Sequence, residues 1–299
     1  MGSTDDTARA VISSPANDKL KQARRLRRSR NRTSDNAFLI EGYRELVRAV
    51  EGGIVVRDLF ICPDLWTGRS EQGLTDRVEG RGGRISVLTE RAFVSVATQD
   101  SPDGVLGVAE IPEIGLDAQA HAFTSAAAPA LFVVVEGIER PGNLGTIART
   151  CAGVGVSGLI ACDPQVDPFH PEVVRASVGA LFSLPLSVVP TREFLAWVRD
   201  QSVRLVVSSP DAELSYDRAD VTGATALVVG SEKSGVTDDL RAAADDLVSL
   251  PMAGGVDSVN VAVAAGVLMF DALRQRRAGG RAGESRVTLG PDEIDGGTR

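Results

Sequence analysis

The sequence predicts an α/β protein: a larger C-terminal unit built on a parallel sheet flanked by helices, preceded by a smaller N-terminal α/β unit. Three observations carry that expectation. Stretches such as LFVVV (131–135), RLVV (204–207) and TALVV (225–229) are short apolar runs, the pattern of strands buried on both faces. These runs alternate with segments of helical period, as crossovers between parallel strands require. Pro112 and Pro129 bracket a Gly-, Ala- and Ser-rich segment that divides the 299 residues into two alternating halves.

Taken in order, residues 1–16 are small and polar and are expected to be mobile. From Asn17 a helical pattern runs through KLKQARRLRRSRNR (19–32) and breaks at NRTSDN. AFLIEG (37–42) reads as a strand, YRELVRAVEGG (43–53) as a helix, and IVVRDLFICP (54–63) as a strand stopped by Pro63. RISVLT (84–89) is a strand, ERAFVSVAT (90–98) a short helix and GVLGVAEI (104–111) a closing strand. Residues 17–111 thus form one unit, and 112–129 a linker with little to bury.

The second unit spans 130–278. LFVVVEG (131–137) is a strand, followed by a turn from Pro141 into a helix, LGTIARTCAGVG. GLIACD, LSVVP, VRLVVSS, TALVVGSE and LVSLPMAG are further strands. PEVVRASVGALFSLP, REFLAWVRDQS, DDLRAAAD and the long VNVAVAAGVLMFDALRQRR are helices. Residues 279–299, rich in Gly, Arg, Asp and Glu, are expected to be a disordered tail.

Several functions are disfavoured at once. No stretch of about 18 apolar residues is present, and the N-terminus carries acids where a signal peptide needs bases. A cytoplasmic protein without membrane partners is expected. Cys62, Cys151 and Cys162, with two histidines, are too few for a disulfide framework or a metal centre. GVGVSG (153–158) fits a dinucleotide fingerprint, but it follows a helix and precedes a strand, the reverse of the required order. GSEKSG (230–235) is not a Walker loop, and no G-x-S-x-G or H-E-x-x-H occurs.

The net charge of −8 does not advertise nucleic-acid binding, but its distribution does. Residues 19–32 hold eight bases and no acid. Arg24, Arg25, Arg27 and Arg28 within this run are expected to contact RNA phosphates. A solvated helix face is the alternative reading.

Three glycine-bearing segments stand at the carboxyl ends of strands, where open α/β sheets bind ligands: PGNLGTIART (141–150), VVGSEKSGV (228–236) and LPMAGGVDSVN (250–260). Such loops offer backbone N–H and C=O groups to a ligand such as an adenine. Together they resemble the three signature motifs of the SpoU (TrmH-type) RNA ribose 2′-O-methyltransferases of the SPOUT superfamily. The first is N-x-G-x-x-x-R, here Asn143, Gly145 and Arg149. The second is G-x-E-x-x-G, here Gly230, Glu232 and Gly235. The third, P-M-x-G-x-x-x-S-x-N, is carried by Pro251, Met252, Gly254, Ser258 and Asn260. R-A-S-x-G-A (175–180) is a fourth shared stretch, and residues 17–111 are similar to the family's substrate-binding domain. Lys233 stands where a glycine often follows the glutamate, and Val259 where leucine is usual.

The resemblance implies a parallel sheet with a C-terminal trefoil knot, S-adenosylmethionine as cofactor, an RNA substrate and a homodimer whose sites take groups from both subunits. It implies catalytic roles for Arg149, Asn143, Glu232, Ser258 and Asn260. It places the cofactor at Ser208, Gly230, Leu250 and Val259, and makes Arg175 a phosphate contact. Glu232 is expected to hold Arg149 or Asn143. Ribosomal RNA, 23S rRNA above all, is favoured over tRNA because of the N-terminal domain. Protection of the ribosome against an antibiotic is one role open to such an enzyme. A tRNA enzyme and an inactive RNA-binding relative are the competing readings; a nucleotide-dependent oxidoreductase fails on the placement of GVGVSG.

Overall fold

The computed structural model describes residues 11–66, 68, 70–120 and 128–279. Its first sheet comprises β1 (Ala37–Glu41), β2 (Val56–Ile61), β3 (Arg84–Val87) and β4 (Val105–Glu110), in the order β1-β4-β2-β3. β4 runs antiparallel to both β1 and β2, and β2 is parallel to β3. Packed around it are α1 (Asp18–Arg25), α2 (Ser29–Asp35), α3 (Tyr43–Glu51), α4 (Glu71–Gly80) and α5 (Glu90–Val94). α4 was not legible in the sequence: EQGLTDRVEG carries Gly73 and a weak apolar period.

The second sheet has seven strands: β5 (Leu131–Glu136), β6 (Gly158–Cys162), β7 (Leu186–Val189), β8 (Arg204–Ser208), β9 (Leu214–Ser215), β10 (Thr225–Val229) and β11 (Asp246–Ser249). Their order is β7-β6-β5-β10-β8-β11-β9, and every pairing is parallel. All residues of β5, β6 and β10 are buried. β5 shows why: Val133 and Val135 enter one core layer while Phe132 and Val134 enter the opposite one. The helices are α6 (Pro141–Val154), α7 (Pro171–Ala176), α8 (Thr191–Gln201), α9 (Asp238–Ala243) and α10 (Val261–Gly279).

One core layer crosses between the two units. Phe38 of β1 meets Phe169 and Phe182 at ring-centroid distances of 4.8 and 5.8 Å. Arg32, 1% exposed, pairs with Asp167 at 2.6 Å, and Arg48 Nη1 donates to the Val178 carbonyl at 2.5 Å. The units therefore share apolar and polar contacts.

Four expectations need correction. Of the segment expected to be mobile, residues 1–10 lie outside the described residues, but 11–16 are placed: Ile12 N donates to Val87 O at 2.8 Å and Ile12 O accepts from Thr89 N at 3.1 Å. This backbone pairing extends the edge at β3. The basic run is not one helix, because the chain turns at residues 26–28 and α2 continues through NRTSD. Of the linker, 121–127 lie outside the described residues, yet 117–120 are helical and Leu116 and Gln119 are buried. Gln119 Nε2 donates to the Leu159 and Pro185 carbonyls, and Gly158 leaves the room it needs. The segment 171–184 is not one helix, for Val178 and Gly179 are both left-handed at φ 52° and 73° and end it after a turn and a half. Of the expected tail at 279–299, Gly279 still belongs to α10 and residues 280–299 lie outside the described residues.

Candidate active site

The PGN segment is not a free loop. Arg140 is the N-cap of α6, Pro141 its first residue, and Asn143 lies in its first turn. Gly145 follows because α6 and α7 touch there: a β-carbon would lie 2.5 Å from Ala176 Cβ and 2.7 Å from Val173 O.

Gly230 has equally little room. Beyond it the chain folds into a tight hairpin in which Ser231 and Gly235 exchange backbone hydrogen bonds of 2.9 and 3.1 Å. A β-carbon on Gly230 would sit 2.1 Å from the Gly235 carbonyl carbon. Gly235 itself has φ +68°, a conformation glycine adopts without steric cost. Lys233 and Val259, where the chain departs from the usual motif, are not among the positive-φ residues.

The hairpin aims Glu232 at α6. Its Oε1 accepts from Asn143 Nδ2 at 2.6 Å and its Oε2 from Glu139 N at 3.1 Å. Asn143 Oδ1 accepts in turn from Asn260 Nδ2 at 3.1 Å, and Asn260 Oδ1 accepts from Ala262 N at the start of α10. One side-chain relay thus ties the three motif segments together. Burial pushes the Glu232 carboxyl up, but the Asn143 amide and the backbone N–H groups of Glu232, Glu139 and Arg140 outweigh it. The group is held below its ordinary value and stays an acceptor.

Beside this relay a cleft of about 550 Å³ opens at the carboxyl ends of β8, β10 and β11. Ser208, Gly230, Leu250, Ser258, Val259 and Asn260 all line it. Glu232 lines it too, while Asn143 reaches it through Glu232 and Asn260. Size and lining suit S-adenosylmethionine: backbone groups and hydroxyls at the strand ends for an adenosine, with Leu250 and Val259 as apolar walls. Sequence reasoning missed Arg140 and Met252 in this lining. Arg140 immediately precedes the first motif, and Met252 was legible as a motif residue without a role.

Two expected residues are elsewhere. Arg149 and Arg175 are exposed on α6 and α7, outside the cleft lining and without a side-chain partner among the described residues. Glu232 therefore holds Asn143, not Arg149. The basic run also divides. Arg24 donates to Ser95 Oγ and Pro15 O, and Arg27 to the carbonyls of Val96 and Ala97, so both brace their own domain. Arg25 and Arg28 have no side-chain partner among the described residues, and with Lys21 and Arg30 they surround a shallow basic hollow.

Two segments of the chain match known families. Residues 17–107 match the MRM3-like substrate binding domain, and residues 130–270 match the SpoU rRNA Methylase family. The 23S rRNA (uridine(2479)-2′-O)-methyltransferase of Streptomyces viridochromogenes is 32% identical over 93% of this chain and 96% of its own. The 23S rRNA (adenosine(1067)-2′-O)-methyltransferase of Streptomyces laurentii is 29% identical over 82% of this chain and 88% of its own. The AdoMet-bound rRNA methyltransferase of Sinorhizobium meliloti superposes with a TM-score of 0.80 at 28% identity, covering 89% of this chain and 97% of that one. The relay, the cleft and the agreement along nearly the whole length lead to one conclusion: this chain belongs to the SpoU rRNA methylase family.

Proposed function

We propose that the protein transfers the methyl group of S-adenosylmethionine to a ribose 2′-hydroxyl of ribosomal RNA, in the 23S molecule. The observation that carries this reading is the Glu232–Asn143–Asn260 relay, which joins all three motif segments at the edge of one cleft. The bound cofactor supplies an electrophilic methyl on a sulfonium. The protein's task is to orient the 2′-oxygen in line with it, which can account for roughly 7–11 kcal/mol of barrier. Asn143, fixed at both ends of its amide, and Ser258 at the cleft wall are the groups to position the ribose. Arg149 serves as a planar cationic donor that steadies the developing alkoxide. Arg175 is a phosphate contact in the same reading.

The domain division follows: 17–111 receives RNA, 112–129 connects, and 130–278 performs transfer. The exposed bases Arg25 and Arg28 are the substrate contacts of the first unit, with Arg24 and Arg27 bracing the domain that carries them. The match to a substrate-binding domain favours rRNA over tRNA. The implied trefoil knot fits a cleft that takes lining residues from three separate segments at once, among them Ser208, Gly230 and Leu250. A homodimer is supported by Val263 and Phe270, 53% and 57% exposed on α10 beside the helix that carries Arg149. No described helix is long and apolar enough to cross a membrane, and an rRNA substrate supports a cytoplasmic site of action.

Tritiated methyl transfer to 23S rRNA, 16S rRNA and bulk tRNA, with mapping of the modified ribose, tests the reading. Label in a 2′-O-methyl of 23S rRNA is expected. Label only in tRNA would turn the substrate assignment over, and calorimetry showing no cofactor binding would remove the enzyme reading itself. If the modification serves antibiotic protection, cells expressing the protein will tolerate a ribosome-directed inhibitor that cells with Arg149→Ala do not.

A further inference from the structure

A ribose 2′-hydroxyl in an RNA chain is adjacent to the 3′-phosphodiester of the same nucleotide. Any pose that brings the oxygen to the cleft also brings that phosphate to its mouth. The cleft must therefore receive a negative charge with every substrate molecule. The arginines assigned by the motif, Arg149 and Arg175, do not line it. Its lining contains two cations among the described residues, Arg140 and Lys233.

These two stand on different segments. Arg140 caps the N-terminal end of α6, and Lys233 lies in the hairpin after β10. Arg140 is exposed and has no side-chain partner among the described residues. Lys233 pairs with Glu139 Oε2 at 2.9 Å, yet its side chain remains 80% exposed. An exposed pair of this kind contributes little, so a phosphate can compete for the ammonium. Until it does, Glu139 keeps Lys233 over the mouth, and Lys233 screens the carboxylate of Glu139 from the incoming RNA. Glu232 is turned away toward Asn143 and the Glu139 N–H. Asp257 is the other acid of the lining, so removal of both cations would leave an acidic mouth.

We propose that Arg140 and Lys233 form a phosphate-binding pair at the cleft mouth that seats the 3′-phosphodiester of the target nucleotide. The inference rests on the methyl-transfer reading and adds two substrate-binding residues to it. Lys233, a departure from the usual motif, is then a feature by which this chain grips RNA from within the cofactor loop.

Arg140→Ala, Lys233→Ala and the double variant of the full chain test it, with Arg140→Lys and Lys233→Arg as charge-preserving controls. S-adenosylmethionine affinity is read by calorimetry, and steady-state transfer is read against RNA concentration and KCl. Cofactor affinity should stay near wild type, while KM for RNA rises roughly tenfold in the double variant and the salt slope flattens by about 0.7 for each phosphate no longer held. The controls should retain both. Unchanged KM and slope would overturn the proposal, as would a loss confined to cofactor affinity, which would assign the cations to the carboxylate of the methyl donor. Wild-type protein that binds no S-adenosylmethionine would sink the methyl-transfer reading itself, and this outcome is visible before any variant is measured. Both side chains are exposed, and thermal midpoints close to wild type will separate a weakened grip on RNA from a damaged fold.

Discussion

A single β-carbon at Gly230 would sit 2.1 Å from backbone that cannot step aside without opening the Ser231–Gly235 hairpin. Gly230→Ala should therefore destabilise the protein by about 1–3 kcal/mol and weaken cofactor binding together, as overpacked sites do. Gly142, in the first turn of α6, has open space where an alanine methyl would stand, with nothing within 4 Å, so Gly142→Ala should be neutral or stabilising by up to about 1 kcal/mol. Equal losses in the two variants, read by urea denaturation and calorimetry, would contradict the geometric account. Glu232 gives a pH prediction. Its folded-state pKa is lowered, so its contribution is complete above the unfolded carboxyl value of about 4.3 and is lost as pH falls through the lower folded value. Glu232→Gln should remove that acid-side loss, and coincident stability–pH curves for variant and wild type would show that the relay does not titrate. At this scale the sequence was informative wherever spacing restricts the backbone. Asn143, Glu232 and Asn260 meet, and Gly145 and Gly230 have no room for a side chain. It was silent on partners: nothing in the letters says that Glu232 chooses Asn143 over Arg149, because that choice depends on where a hairpin points.

Elements of uniform sequence proved less uniform in space. KLKQARRLRRSRNR reads as one basic helix, but only some of its charges face outward. Arg32 is buried between the Leu26 and Arg27 carbonyls and Asp167 of the other unit. Arg32→Ala should leave Asp167 without its countercharge and cost roughly 3 kcal/mol, the scale for breaking a buried pair, whereas Arg25→Ala and Arg28→Ala should stay within about 0.5 kcal/mol. The RNA salt slope should reverse that ranking. Replacing Lys21, Arg25, Arg28 and Arg30 should flatten it, by about 0.7–0.9 for each phosphate released. An unchanged slope would return these side chains to a solvated face. Six of the seven strands of the second sheet were legible, most plainly where burial on both faces leaves no polar interruption, as in β5 and β10, whereas β9, two half-buried residues at the sheet edge, was not. The breaks were not. Val178 in a left-handed conformation is contrary to the preference of a β-branched residue, and its carbonyl is held by Arg48 from 130 positions away. The antiparallel placement of β4 between β1 and β2 was likewise hidden, since alternation of strands and helices does not say where a closing strand pairs.

For the whole molecule, the exposed positions of Arg149, Val263 and Phe270 argue for a second copy of the chain. α6 packs along α10, with Cys151 Sγ and Met269 Sδ 3.7 Å apart, so the guanidinium and the apolar side chains belong to one helical pair. Phe270 and Gly153, from the two helices, border one hollow. Burying Val263 and Phe270 against the same surface of a twin would create a two-fold interface. It would also carry Arg149 toward the partner's cleft, where its own protomer does not place it. Phe270→Glu should then give a monomer by sedimentation that keeps cofactor affinity and loses methyl transfer. A stricter test uses two inactive proteins. Arg149→Ala leaves its own cleft intact but supplies no guanidinium, and Gly230→Val closes its own cleft but retains Arg149. If Arg149 acts across the interface, each mixed dimer contains one complete site. After equimolar mixing and subunit exchange, half the dimers are mixed and activity should recover to about a quarter of wild type. If Arg149 acts in its own protomer, every mixed dimer pairs an empty site with a blocked one and no activity returns, so the same measurement decides between one chain and two as the functional unit.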